Sequence, residues 1–253
     1  MTTAYVRLLT PSGPRWAVED EATYALLDAA PYAGGRPTGE RSSATEAQLL
    51  APATPSKIVA IGRNYRDHAQ ELGNPVPEEP LLFLKPESAV IGPGEAIHLP
   101  AWAGRVDHEA ELGVVIGTAA HDLASPADAL AHVFGAVCVN DVTARELQKK
   151  DVQFTRAKGF DTFCPVGPRL VAGLDLSEVP VVGRVNGAVR QESTTASLIF
   201  PVAHLVWFVA RVMTLRPGDI ISTGTPAGVG PLLAGDVVEV EVGGVGVLRN
   251  PVE

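Results

Sequence analysis

The stretch Asp107-His108-Glu109-Ala110-Glu111-Leu112-Gly113 carries the most chemically suggestive spacing in the chain. Glu109 and Glu111 lie two apart, so on an extended strand both carboxylates project from one face. Like charges that close repel, and either bulk water or a bound cation must compensate them. A solvated strand edge is the ordinary explanation. The unbroken apolar run Leu112 to Ile116 argues instead for a strand that enters the core. A third carboxylate, Asp141, follows the apolar run Gly135-Ala136-Val137-Cys138-Val139 at a strand end. Three hard oxygen donors favour magnesium, manganese or calcium over zinc and leave coordination positions open for water and substrate. Asp141, ahead of Thr143 to Gln148, equally suits a helix N-cap. The residues alone leave both readings open.

His68 and Glu71 sit three apart, neighbours on one face of a helical turn. A carboxylate beside imidazole orients it and raises its basicity, which makes a general-base pair; the alternative is a surface ion pair. Lys158, among small and aromatic residues in Ala157-Lys158-Gly159-Phe160, could stabilise a developing oxyanion, or be an ordinary exposed lysine. The glycine-punctuated Ser222 to Gly230 has hydroxyls and amides that could hold a carboxylate, but not the Lys of a phosphate-binding P-loop.

Positioning these groups takes a strand-rich frame. Lys57 to Ile61, Leu81 to Leu84, Glu111 to Ile116 and Val133 to Val139 read as short buried strands. Val237 to Val242 alternates Val with Glu, meets Gly243-Gly244 and resumes at Val245 to Leu248, a hairpin signature. Helical signals are fewer: Thr143 to Lys150, and Pro201 to Met213 with Pro in its first turn. The fold class expected is therefore α+β and strand-rich, a mixed sheet curled on itself and not a doubly wound fold. Ala4 to Leu9 and Arg15 to Val18 read as strands around a Pro-Ser-Gly turn. From Ala30 to Ser56 the composition is that of a connector. Residues 1–50 are thus read as a small N-terminal β domain with its connector, and 51–253 as the main domain.

Composition narrows the function classes. A net charge of −9 and the absence of any basic stripe argue against a nucleic-acid binder. Cys138 and Cys164 form neither a CxxC motif nor a disulfide framework, which suits a reducing cytoplasm. Met1 to Tyr5 lacks the pattern of a secretory signal. The most lipid-like stretch, Leu198 to Met213, is interrupted by Pro201, His204 and Arg211 and is shorter than the roughly 20 residues a membrane span needs. It reads as a buried helix, so no membrane partner is expected.

Taken together, Gly62-Arg63-Asn64-Tyr65 through His68 and Glu71, Phe83-Leu84-Lys85-Pro86, the stretch from His108 to Gly113, and Asn140-Asp141-Val142-Thr143-Ala144-Arg145 resemble the fumarylacetoacetate hydrolase family. Gln148, Ala157-Lys158, Cys164-Pro165-Val166-Gly167, Val185-Asn186-Gly187, Arg190-Gln191 and Thr223-Gly224-Thr225-Pro226 extend the likeness, in order, over about residues 57 to 252. It lies with the acylpyruvase and 2-hydroxyhepta-2,4-diene-1,7-dioate isomerase or decarboxylase branch. The resemblance implies a mixed β-roll, a homodimer, and Mg2+ or Mn2+ held at Glu109, Glu111 and Asp141. It implies Arg145, Gln148, Lys158 and Thr225 as substrate and oxyanion contacts, with Arg63, Tyr65, Phe83 and Lys85 among the substrate-binding residues.

In that reading the reaction is cleavage of a C–C bond in a small 2,4-dioxo acid, as in an acylpyruvate hydrolase, through a metal-stabilised enolate. His68, oriented by Glu71, is the base that activates water, and its presence favours hydrolysis or decarboxylation over simple tautomerisation. The alternatives are decarboxylation or isomerisation of heptadienedioate-like or oxaloacetate substrates and, in another class, a non-catalytic metal- or ligand-binding protein. Gly62 and Gly73-Asn74-Pro75 flank the His-Glu pair as hinge residues, so 64–77 is expected to act as a lid.

Overall fold

The computed structural model describes residues 1–20, 23–43, 47–71, 73 and 75–253. The first strands are β1 (Thr3–Thr10), β2 (Gly13–Asp20), β3 (Thr23–Leu27), β4 (Pro37–Ser43) and β5 (Gln48–Leu50). Next come β6 (Ile58–Gly62), α1 (Arg66–Glu71), β7 (Leu81–Lys85) and β8 (Val90–Ile91). The middle of the chain forms β9 (Val106–His108), β10 (Ala110–Ile116), α2 (Pro126–Ala129), β11 (Val133–Asn140), β12 (Thr143–Ala144), α3 (Arg145–Lys150) and α4 (Thr155–Lys158). The rest is β13 (Cys164–Ala172), β14 (Pro180–Val185), β15 (Ala188–Thr194), α5 (Val202–Val212), β16 (Ile220–Ser222), β17 (Gly230–Pro231), β18 (Val237–Val242) and β19 (Gly246–Pro251).

The fold is strand-rich and its main sheet is mixed, as expected. The order runs β4-β3-β2-β1-β13-β11-β10-β16-β6-β7, with β5 added to β1 and β8 to β13. All neighbours are antiparallel except β16 with β6 and β8 with β13. Two smaller sheets, β12-β9-β17 and β15-β14-β18-β19, complete the frame. Every residue of β10 is buried, which explains why it reads as an apolar run and not as an alternation. β18 buries every second residue, and its Val-Glu alternation follows from that half-buried position. α5 buries Val202, Leu205, Val206, Val209 and Ala210, an apolar stripe that packs in one core with Leu112 and Val114 of β10. Among the described residues no helix is long and apolar enough to cross a membrane.

The N-terminal strands are joined edge to edge to the rest: β1 pairs with β13 from Thr3 opposite Ala172 to Tyr5 opposite Leu170. They also keep a small core of their own from Val6, Leu8, Ala17, Tyr24 and Leu26. The stretch read as a connector contains β4 and β5, a correction to the composition-based reading. β4 is a mostly exposed edge strand, Pro-Thr-Gly-Glu-Arg-Ser-Ser, so it carries no apolar signal. The helix expected from Thr143 starts at Arg145, because Thr143 and Ala144 pair with β9. Cys138 and Cys164 are buried and free, and burial pushes both thiols up to about 12.

Asp219 ties the start of β16 to the start of β6. Its Oδ1 accepts from Ser56 N at 3.0 Å and Ser56 Oγ at 2.7 Å, and its Oδ2 accepts from Arg216 N at 2.8 Å and from Lys57 Nζ. Burial alone would raise its pKa. The hydrogen bonds from Lys57 and Ser56 outweigh that and hold it below the ordinary carboxylate value.

Candidate active site

Between β9 and β10 the chain leaves the three-stranded sheet and enters the large one, and Glu109 sits at that crossing. β11 runs beside β10 with Asn140 opposite Ala110, which brings Asp141 next to Glu109; Asp141 N donates to Glu109 O at 2.9 Å. Glu109, Glu111 and Asp141 are all buried, with candidate ligand atoms within 4.8 Å of one another. The helix after Asp141 has Ala144 at its N-cap with no side-chain cap bond, so the capping role considered for Asp141 is not the one it plays.

Two of the three carboxylates have cationic partners. Lys158 Nζ donates to Glu109 Oε2 at 2.8 Å and to Asp141 Oδ2 at 2.6 Å, while Lys85 Nζ donates to Asp141 Oδ1 at 2.6 Å. Arg145 donates to Glu109 Oε1. Burial opposes ionisation of Glu109, but Arg145 and Lys158 overcome it and hold this carboxyl well below the usual range. Burial likewise works against the Lys158 ammonium, and Asp141 and Glu109 more than compensate, so its pKa is raised.

Glu111 is different. Its Oε2 accepts from Ser222 Oγ at 2.6 Å and Gly224 N at 2.8 Å, both uncharged donors. Burial, then the charges of Asp141 and Glu109, push its carboxyl up to about 8. Glu111 alone of the trio has no cationic side chain bonded to it, and a buried all-oxygen set with one such carboxyl fits a hard divalent cation.

These groups line a cavity of about 310 Å³ together with Arg63, His68, Gln148, Thr225 and an apolar wall of Ile61, Leu81, Phe83 and Phe154. Phe83 and Phe154 meet edge to face, centroids 5.5 Å apart, and Lys158 Nζ lies 4.8 Å from the Phe83 centroid. α1 closes one side. His68 is buried, and its Nδ1 lies 3.2 Å from Glu71 Oε2, whose other oxygen accepts from Gly228 N at 3.0 Å. A carboxylate only accepts, so Nδ1 carries the proton and Nε2 is left basic. Of the expected hinge, Asn74 lies outside the described residues.

Two expected substrate contacts sit elsewhere. Lys85 is fully buried and is spent on Asp141 Oδ1 and Val142 O, so it is an internal counter-ion. Tyr65 is buried in the main core and bridged to Leu198, and it does not line the cavity; burial and then Glu111 raise its pKa. Thr225 lines the cavity, but its hydroxyl donates to Ala110 O at 2.9 Å and accepts from Gln191 Nε2 at 2.6 Å. It can offer a substrate a lone pair and not a proton, which corrects the reading of its hydroxyl as a carboxylate donor.

Sequence reasoning assigned no role to several groups that shape the site. Asp107, buried, accepts from Arg145 Nε at 2.8 Å and Arg105 Nε at 2.7 Å. Gln191 Oε1 accepts from Ala110 N at 2.9 Å and contacts His108 Nδ1 at 3.0 Å. Burial, only partly offset by Gln191, lowers the pKa of His108. Gly224 carries a backbone signal, φ +105° with a Cβ that would lie 2.7 Å from Asn64 Cβ, and Arg63, already expected as a substrate contact, carries another with φ 57°.

The pattern that defines the family described as fumarylacetoacetate (FAA) hydrolase C-terminal matches residues 57–253, and the one described as Rv2993c-like, N-terminal matches 4–52. An Archaeoglobus fulgidus protein is 54% identical over 206 residues, 81% of this chain and 82% of its own. The mitochondrial oxaloacetate tautomerase FAHD2A of Bos taurus is 41% identical over 259 residues, 96% of this chain and 81% of its own. The crystal structure of 2-hydroxyhepta-2,4-diene-1,7-dioate isomerase from Mycobacterium marinum superposes with a TM-score of 0.91 at 41% identity, covering 99% of this chain and 98% of that one.

Proposed function

The chain belongs to the fumarylacetoacetate hydrolase family, and from that premise we propose that it moves a proton at C3 of a small 2-oxo acid of the oxaloacetate kind, interconverting keto and enol forms. The observation that carries this reading is the meeting of one basic imidazole nitrogen and one fixed ammonium in a cavity floored by three carboxylates. A divalent cation bound by Glu109, Glu111 and Asp141 would act as a Lewis acid toward the 2-oxo oxygen.

The protein's own groups do the rest. His68 Nε2 takes the C3 proton while Glu71 holds Nδ1 and stabilises the imidazolium that forms. The electron pair moves onto the C2 oxygen, where the Lys158 ammonium stabilises the developing charge; that oxygen then takes up a proton from water to give the enol, and the His68 imidazolium returns its proton to water. Lys158, its pKa raised, stays protonated and serves as electrostatic partner and not as the base. Arg145, fixed by Asp107 and Glu109, has N–H groups to spare for the substrate carboxylate, and Gln148 stands beside it at 3.0 Å. Phe83 and Phe154 keep that side of the cavity apolar, which strengthens each of these interactions.

Hydrolysis of an acylpyruvate is the second reading, favoured by the same His68–Glu71 pair, which could equally take its proton from water. Loss of enol absorbance separates the two when followed with and without a lactate dehydrogenase couple. Tautomerisation consumes enol with no pyruvate, whereas hydrolysis releases one pyruvate per turnover. Silence with every 2-oxo acid, alongside retained Mg2+ or Mn2+ binding, would point to a binding protein instead. A homodimer in the cytoplasm belongs to the same proposal, with light scattering as the check on its assembly.

A further inference from the structure

Two positive charges on the cavity wall have no partner. Arg63 follows β6 with φ of 57°, a conformation that residues other than Gly, Asn and Asp adopt rarely. Its side chain is half-buried and lines the cavity near Leu81 and Phe83. Lys149, one helical turn beyond Arg145 on α3, lines the same cavity and is exposed. Among the described residues neither makes an ion pair or a side-chain hydrogen bond. The inner cations differ sharply: Arg145 is committed to Asp107 and Glu109, Lys158 to Glu109 and Asp141. The cavity thus has an inner end, where acids and bases are nearly matched, and an outer part with surplus positive charge. Cations that line a cavity and pair with no acid among the described residues suit an anionic group of the ligand.

We propose that Arg63 and Lys149 form a second anion subsite that takes the distal carboxylate of a 2-oxo dicarboxylate, so the protein selects diacids over monoacids of equal chain length. This rests on reading the cavity as a 2-oxo acid site. Arg63 then supplies a planar guanidinium from the cavity wall, and Lys149 adds a point charge on a flexible stem.

The test is calorimetric binding in the presence of Mg2+, comparing 2-oxoglutarate with 2-oxopentanoate and 2-oxoadipate with 2-oxohexanoate. The expected result is a diacid preference of roughly tenfold or more, weakening as salt is raised. Arg63→Asn removes the guanidinium while tolerating the left-handed backbone, and Lys149→Gln changes an exposed position. Each should cut the diacid preference, and the double variant should erase it; circular dichroism confirms folding. Monoacids binding as tightly as diacids, or a preference that survives in the folded double variant, overturns the subsite while leaving the 2-oxo acid reading intact. Failure of all four ligands to bind overturns both.

Discussion

Asp107 holds Arg145 by an ion pair, Oδ2 to Nε at 2.8 Å, with both residues buried. Arg145 reaches from there to Glu109 and Gln148, so the carboxylate behind it sets the direction of the guanidinium that faces the cavity. Asp107 is a positioning residue in this arrangement, since its contacts run to the two arginines and not to the cavity.

Replacing Asp107 with Asn keeps the shape and removes the charge. We expect the catalytic constant to fall by about 10- to 100-fold, the range typical of partners that orient a binding group. Asp107→Ala should cost about 3–5 kcal/mol, because Arg145 is left buried with one of its two counter-charges gone. Steady-state enol kinetics and urea unfolding check the pair; wild-type kinetics in the Asn variant would remove the positioning role.

The Glu111 carboxyl, pushed up to about 8 by burial and by Asp141 and Glu109, ties metal affinity to pH. A raised pKa means the metal-free protein holds a proton here at neutral pH that a cation must displace. Affinity for Mg2+ or Mn2+ should therefore fall roughly tenfold for each pH unit below about 8 and level off above it. In the metal-free state the stability contributed by this group is full below its ordinary 4.5 and is lost as pH rises toward about 8. Titration in buffers of different ionisation enthalpy should register about one proton released per cation at pH 7. Binding that is flat from pH 6 to 8 would contradict this.

His68→Ala should lower turnover by about 10²–10⁴-fold, the usual share of a positioned base. Metal affinity should survive, since His68 is not among the three carboxylates. Glu71→Gln should do less harm, as the single amide oxygen can still accept from His68 Nδ1, at the cost of the bond that the other carboxylate oxygen makes with Gly228 N. Turnover in His68→Ala equal to wild type would place the base elsewhere.

Asp219 gives a prediction about folding alone. Asp219→Ala strips the partners from Ser56, Lys57 and the Arg216 amide and should cost about 3 kcal/mol or more. Its pKa is held below the ordinary 3.8, so the stability it supplies is present above that value and lost as pH falls through the folded pKa. Acid unfolding should thus be less steep in the variant. An unchanged unfolding midpoint at pH 7 would show that the tie is dispensable.

The sequence by itself determined the features that depend on near neighbours. The spacing of Glu109 and Glu111 and the apolar continuation to Ile116 announced a buried acidic strand; β10 is buried throughout and contains Glu111, with Glu109 just before its start. The Val-Glu alternation from Val237 announced a hairpin strand, and the apolar stretch Leu198 to Met213 announced a buried helix, which α5 is along one stripe. In each case periodicity is a direct record of which side of an element meets the core. The polar strand β4 left no such record, having no apolar side to encode.

Only the tertiary structure decided which polar group meets which. Ser222 bonds Glu111 across 111 residues, Lys85 meets Asp141 across 56, and Gln191 meets Thr225 across 34. Those meetings made Lys85 a counter-ion, committed the Thr225 hydroxyl proton to Ala110 O and left Glu111 with uncharged donors only. The physical reason is that a polar side chain's role depends on what else is buried beside it, and strand order, not spacing along the chain, sets that neighbourhood.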